Sequence, residues 1–115
     1  MVNFAYKIED KDVFEAAMDN GFYTGSALDN KDGFIHLSTK EQSAQTLKLY
    51  FSGVPNLILA KINLEPIINT VKWEASRNGD LFPHIYADLP KSAVSNIYTL
   101  KYDGAGNPIL PIDLE

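Results

Sequence analysis

The sequence predicts an α+β fold: a single domain over residues 1–115, with mixed or antiparallel sheets around a central cleft. Three observations lead to the α+β class and the single domain. Short alternating apolar segments read as strands and outnumber the helical ones, helical patterning is concentrated in the first half, and no repeat, linker or low-complexity run divides the chain.

Taken in order, "VNFAYKI" alternates and reads as a first strand. "DKDVFEAAMDNG" follows as a helix, with Val13, Phe14, Ala17 and Met18 on one stripe and Gly21 at its stop. "FYTGSALDNKDG" reads as a turn-rich loop and "FIHLS" as a second strand. Ser38 then caps a helix, because "STKE" fits the S-x-x-E capping box with Glu41 at the reciprocal position. That helix runs to about Phe51, where "SGVPN" ends it. "LILAKINL" is apolar enough to lie centrally in a sheet. "TVKWEAS" is a further strand, "RNGD" a turn, and "FPHIYADL" a strand that Pro83 places at its start or at a sheet edge. "PKSAV" offers a helical turn beginning at Pro90, "NIYTLKYD" a last strand and "DGAGN" a turn. The tail "PILPIDLE" carries no clear pattern.

Composition bounds what the domain can do. A chain of 115 residues, 45% hydrophobic and 22% charged, can bury a core without staples. It has no cysteine, which excludes disulfides, thiolate zinc sites and a cysteine nucleophile. "MVNFAYKIED" lacks the layout of a signal peptide and no apolar run reaches membrane-spanning length, so a cytoplasmic location without a membrane partner is expected. A net charge of −5 and ten dispersed basic residues count against duplex nucleic acid.

The chain has two histidines and one arginine, and "WEASRNGDLFPHIY" holds His84 and Arg77 beside Glu74. Side chains alternate across a strand, so a spacing of two marks a shared face. Phe34, His36 and Ser38 share one face of "FIHLS"; Phe82, His84 and Tyr86 share one of "FPHIY"; Lys72, Glu74 and Ser76 share one of "VKWEAS". If these faces converge they form a cleft holding His36, Ser38, Glu74, His84 and Tyr86, walled by Phe34 and Phe82. Mostly apolar walls with few polar groups are the usual make-up of a small-molecule site. Glu74 and His84 are the candidate acid–base pair, since a carboxylate orients an imidazole and raises its basicity. His84 is expected to face a solvent-filled cleft.

Each of these residues also has a structural reading. A strand histidine is commonly a hydrogen-bonded piece of architecture, Glu74 can pair with Lys72 or Arg77, and Arg77 and Asp80 can brace a turn. Trp73 and Tyr50 read as core. His36, His84 and Glu74 are metal-ligand types, but no H-x-x-x-H spacing joins them, so no metal is expected. No G-x-S-x-G elbow, P-loop or G-x-G-x-x-G occurs.

Taken together, "YKI", "GFIHLST" with Gln42 following, "LILAKINL", "VKWE", "FPHIYADLP" and "SAV" resemble the uncharacterised bacterial family labelled domain of unknown function 952, over residues 6 to about 103. Members of that family resemble in fold the ADP-ribosyltransferase-like proteins, including RNA 2′-phosphotransferases. The resemblance implies a cleft between two antiparallel half-sheets and a nucleotide-like ligand such as NAD or an ADP-ribosyl derivative. It implies ligand contacts from Tyr6, His36 and Tyr86, donation to an anionic oxygen from Ser38 or Thr39, and a phosphate fork at Arg77. The departures are specific. Tyr6 and Lys7 stand where transferases carry a histidine or arginine on the first strand, and relatives often read "YHI" there. One arginine argues against RNA 2′-phosphate removal, and the late-strand glutamate of many transferases has no counterpart because Glu74 comes too early. The alternative is a non-catalytic ligand-binding or interaction module that keeps the fold without the chemistry.

Overall fold

The computed structural model describes residues 3–111. Strand β1 (Phe4–Asp10) leads into helix α1 (Lys11–Asn20), whose first turn is capped by the Asp10 carboxylate accepting from the Val13 N–H at 3.0 Å. Gly21, at φ 93°, closes the helix in a left-handed conformation that suits glycine. Phe14 and Met18 are buried as expected, but Val13 lies off that stripe and is half exposed.

The following segments are β2 (Phe22–Tyr23), α2 (Ala27–Asp32), β3 (Ile35–His36), α3 (Lys40–Tyr50) and β4 (Leu57–Asn63). Then come β5 (Val71–Ala75), β6 (Leu81–Ile85), β7 (Leu89–Pro90), β8 (Val94–Thr99), β9 (Lys101–Tyr102) and β10 (Pro108–Ile109). β10 gives the patternless tail a short hairpin with β9, while residues 112–115 lie outside the described residues.

Two three-stranded sheets carry the architecture, β1-β4-β8 and β3-β6-β5. All strand pairings among the described residues are antiparallel. β4 is central, as its near-continuous apolar run requires, and it is buried on both faces. Ile58, Ala60 and Ile62 join Phe14, Tyr23, Ile85 and Leu89 in one apolar cluster; Leu57 and Leu59 join Tyr6, Leu47 and Leu100 in another. The two sheets meet at one antiparallel bridge, where Tyr6 N–H donates to the Ser38 carbonyl at 2.8 Å and Ser38 N–H to the Tyr6 carbonyl at 2.9 Å.

That bridge corrects one expectation. Ser38 spends its backbone on β1, so α3 starts one residue later: Thr39 Oγ1 accepts from Gln42 N–H at 3.1 Å, and Gln42 Oε1 accepts from Thr39 N–H at 3.0 Å. The capping box is Thr39/Gln42, not Ser38/Glu41. A second one lies in the segment read as loop. Ser26 and Asp29 form a reciprocal box that starts α2, and Gly33 ends it.

Pro83 sits in β6, the central strand of its sheet, rather than at a start or an edge. It is tolerated because the residue opposite it, Leu37, lies just past the end of β3: Leu37 N–H still donates to the Pro83 carbonyl at 3.0 Å, and only the return bond that a Pro83 N–H would make is missing. Trp73 and Tyr50, read as core, are 44% and 63% exposed. Trp73 lies on edge strand β5, and Tyr50 on the last turn of α3. Among the described residues no helix is long and apolar enough to cross a membrane.

Candidate functional site

Strand register brings the two histidines together. His36 on β3 is paired directly with His84 on β6, and Lys72 and Glu74 on β5 pair with His84 and Phe82. Directly paired residues share a face, so the predicted convergence of the three polar faces occurs. Above it opens a cleft of about 440 Å³, within the range of small-molecule pockets. Tyr6, His36, Ser38, Arg77, Phe82 and His84 line it. Thr39, Glu74 and Tyr86 do not. Thr39 is taken up in capping α3, and Glu74 and Tyr86 stand on the far side of His84. Phe34, expected as a wall, stacks on the His84 ring at 4.1 Å and borders a separate depression of about 230 Å³ with Tyr86.

His84 is only 3% exposed, which replaces the expected solvent-filled setting with a buried one. Its Nδ1 lies 2.8 Å from Glu74 Oε1, and the Tyr86 hydroxyl donates to the same oxygen at 2.7 Å. Those hydrogen bonds, from Tyr86 first and His84 second, hold the Glu74 carboxyl below its ordinary range; the same contact pushes the Tyr86 phenol up. His84 Nε2 is fully buried and has no hydrogen-bond partner among the described residues.

His36 is held quite differently. Its Nδ1 lies 2.6 Å from Asp29 Oδ1 and its Nε2 3.0 Å from Asp32 Oδ2, so both ring nitrogens face carboxylates. Asp29, 2% exposed, is the hub. It also accepts from Lys7 Nζ and Ser26 N–H, each at 2.8 Å, and from His36 N–H at 3.1 Å. Burial alone would raise its carboxyl pKa, but the His36 hydrogen bond and the Lys7 ammonium outweigh burial and hold it well below the usual carboxylate range. Lys7 donates as well to the His36 carbonyl at 3.1 Å, which anchors the strand ends around the hub. Close packing here requires Gly25, at φ 103°, since a Cβ would stand 2.8 Å from Asp29 Cβ. Nearby, the buried Tyr23 hydroxyl donates to Glu9, and burial chiefly pushes its phenol far up.

Arg77 lines the same cleft, with its guanidinium carbon 4.9 Å from the Phe82 ring centroid and 5.7 Å from that of Tyr50. Its Nη2 donates to Thr46 Oγ1 at 3.1 Å, and Thr46 in turn contacts Ser38 Oγ at 3.2 Å. No carboxylate among the described residues pairs with it. A guanidinium has five donors, so most of this fork is available to an anion. No group of three histidine or acidic side chains among the described residues is arranged to hold a metal ion.

Sequence reasoning missed Asp29, Asp32 and Thr46. The signal for Asp29 was present as "SALD", a serine three residues before an acid. Thr46 left none, because its partners come from other elements.

No match was found among curated proteins. The crystal structure of protein CC0527 from Caulobacter crescentus is 42% identical, covers 93% of this chain and 94% of its own, and superposes with a TM-score of 0.88. The solution NMR structure of CC0527 is 43% identical over 91% of this chain and 90% of its own, with a TM-score of 0.81. The family described as "Protein of unknown function (DUF952)" matches residues 8–97, which take in β3, β6 and the whole histidine-bearing sheet between them, and to that family the chain belongs.

Proposed function

We propose that the cleft binds a nucleotide-like small molecule, with NAD or an ADP-ribosyl derivative as the ligand class, and that Glu74 and His84 serve proton transfer on it. An ADP-ribosyltransferase-like arrangement of the two antiparallel sheets belongs to the same reading. The observation that carries it is the 2.8 Å contact between Glu74 and His84 at the cleft wall, with the second ring nitrogen of His84 left without a partner. Arg77 supplies the one fork for a phosphate, and Ser38 and Thr46 add hydroxyls beside it. Tyr6 and His36 also line the cleft, and His36 offers it no free ring nitrogen, since Asp29 and Asp32 hold both.

That occupation of His36 favours a second reading, a binding module in which the histidines shape the cleft and no bond is broken. A chemical-shift titration with NAD, ADP-ribose and AMP tests the shared part of both. Shifts concentrated at Tyr6, His36, Ser38, Thr46 and Arg77 are expected, and a flat response to all three ligands overturns the reading. Product formation from NAD or ADP-ribose then separates enzyme from module.

A further inference from the structure

We infer that His36 Nε2 is an oxyanion-binding group of the cleft, covered by the Asp32 carboxylate until a phosphate oxygen of the ligand displaces it. The inference rests on the reading of this cleft as a nucleotide site, and it adds to Arg77 a second place for the negative charge of that ligand.

The two carboxylates on His36 differ in kind. Asp29 is 2% exposed, and its Oδ1 stands 2.6 Å from Nδ1. Burial would raise that carboxyl, but the His36 hydrogen bond and Lys7 outweigh it, so Asp29 stays ionised and only accepts. The hydrogen between the two therefore belongs to Nδ1. Asp32 Oδ2 stands 3.0 Å from Nε2, and its side chain is 37% exposed against 28% for that of His36. A hydrogen lies in this contact as well, because two bare lone pairs would repel at that distance. With a carboxylate on each side the ring carries both hydrogens and can only donate. The Asp29 side of the ring is closed, whereas Asp32 lines the cleft together with His36.

Little else holds Asp32 in place. Among the described residues its side chain makes no other hydrogen bond or ion pair. It is the last residue of α2, and the free carbonyls at a helix end do not favour a negative charge. An exposed ion pair is weak, and a phosphate oxygen can take the same N–H in a charge-assisted bond. Asp29 stays behind, held by Lys7 and Ser26, and keeps the ring turned so that Nε2 faces Asp32. The other charged or titratable neighbours are engaged elsewhere. Lys7 donates to Asp29 and to the His36 carbonyl, Glu9 accepts from Tyr23 and from Asp10 N–H, and His84, its ring centroid 5.3 Å away, contacts Glu74. The group that replaces Asp32 must be what Asp32 is, an acceptor with negative charge. An amine, which has only hydrogens to offer, finds no partner there.

NMR titration with inorganic phosphate tests this in the wild type, Asp32→Ala, His36→Gln and the double variant, at about pH 5.5, where an ordinary histidine is charged. Asp32→Ala is expected to bind phosphate about two- to fivefold more tightly, the factor an exposed ion pair is worth. In the His36→Gln background the same substitution should give no gain, the mark of two coupled residues. An equal gain with and without His36 means general charge repulsion and overturns the inference, as does unchanged, weaker or absent phosphate binding in Asp32→Ala. Should His36→Gln fail to fold, the His36 Nε2 resonance of Asp32→Ala decides: a shift on adding phosphate supports the inference, and a stationary resonance overturns it. A parallel titration with AMP separates this from the reading beneath it. The phosphate pattern without AMP binding supports the oxyanion group and sinks the nucleotide reading, whereas AMP binding without the phosphate pattern does the reverse.

Discussion

His36 and His84 face each other across β3 and β6, their ring centroids 5.3 Å apart and their planes at 66°. The two rings are nevertheless supported in opposite ways. Asp29 and Asp32 claim both nitrogens of His36, whereas Glu74 claims one nitrogen of His84 and leaves the other without a partner among the described residues.

Loss of the His84 ring should therefore register in the fold as well as in the cleft. His84→Ala removes a buried ring stacked on Phe34 and is expected to cost about 1–3 kcal/mol in urea denaturation. Glu74→Gln, on the outer side, should leave the denaturation midpoint close to wild type while altering ligand response. A His84→Ala protein as stable as wild type would contradict the burial seen here.

The Asp29 hub makes a larger demand. Asp29→Asn leaves the Lys7 ammonium, 8% exposed, without its charge partner, and unpairing one side of a buried ion pair typically costs about 3–5 kcal/mol. Equilibrium unfolding of the variant checks this. A loss below about 1 kcal/mol would mean that Lys7 finds solvent or another acceptor.

Acid should act through the same carboxylate. The folded Asp29 lies below its ordinary 3.8, so the unfolded chain takes up the proton first as pH falls. The stability it contributes is complete above its unfolded value and is lost as pH falls through that value toward the folded one. Melting temperature should drop between about pH 5 and pH 2, and the slope should be shallower in Asp29→Asn. Parallel curves for the two proteins would remove Asp29 from the explanation.

The start of α3 offers a local test. Thr39→Ala should destabilise by about 1 kcal/mol, the usual cost of a lost N-cap, and Glu41→Ala should leave stability unchanged. The reverse ranking would restore Ser38 and Glu41 as the capping pair.

That ranking shows what a one-dimensional reading can and cannot decide. "STKEQ" contains two overlapping capping boxes, Ser38 with Glu41 and Thr39 with Gln42, and local preference accepts either. Pairing of Ser38 with Tyr6, a residue far away in sequence, chooses between them. Where the pattern is periodic, the sequence was sufficient: "LILAKINL" marked the central strand, and the alternation in "FIHLS", "VKWEAS" and "FPHIY" brought His36, Glu74 and His84 to one face. Orientation around that face was not legible. Alternation says which side of a strand a residue occupies, but not that Glu74 approaches His84 from outside the cleft. Asp29 stayed hidden for another reason, since glycine, asparagine and aspartate around it are turn formers and α2 is only six residues long.

Pro83 has a reach beyond its own strand. At residue 37 the chain still donates to β6, through Leu37 N–H to the Pro83 carbonyl, but the imino nitrogen of Pro83 has nothing to return to the Leu37 carbonyl. The zipper between the two strands stops there for want of a single hydrogen. One residue on, the backbone groups of Ser38 point to the other side of the chain, as strand alternation requires, and there they pair with Tyr6 in the neighbouring sheet. Residues 37 and 38 are thus held by β6 on one side and by β1 on the other, and the proline fixes where the first of those attachments ends, one residue past His36.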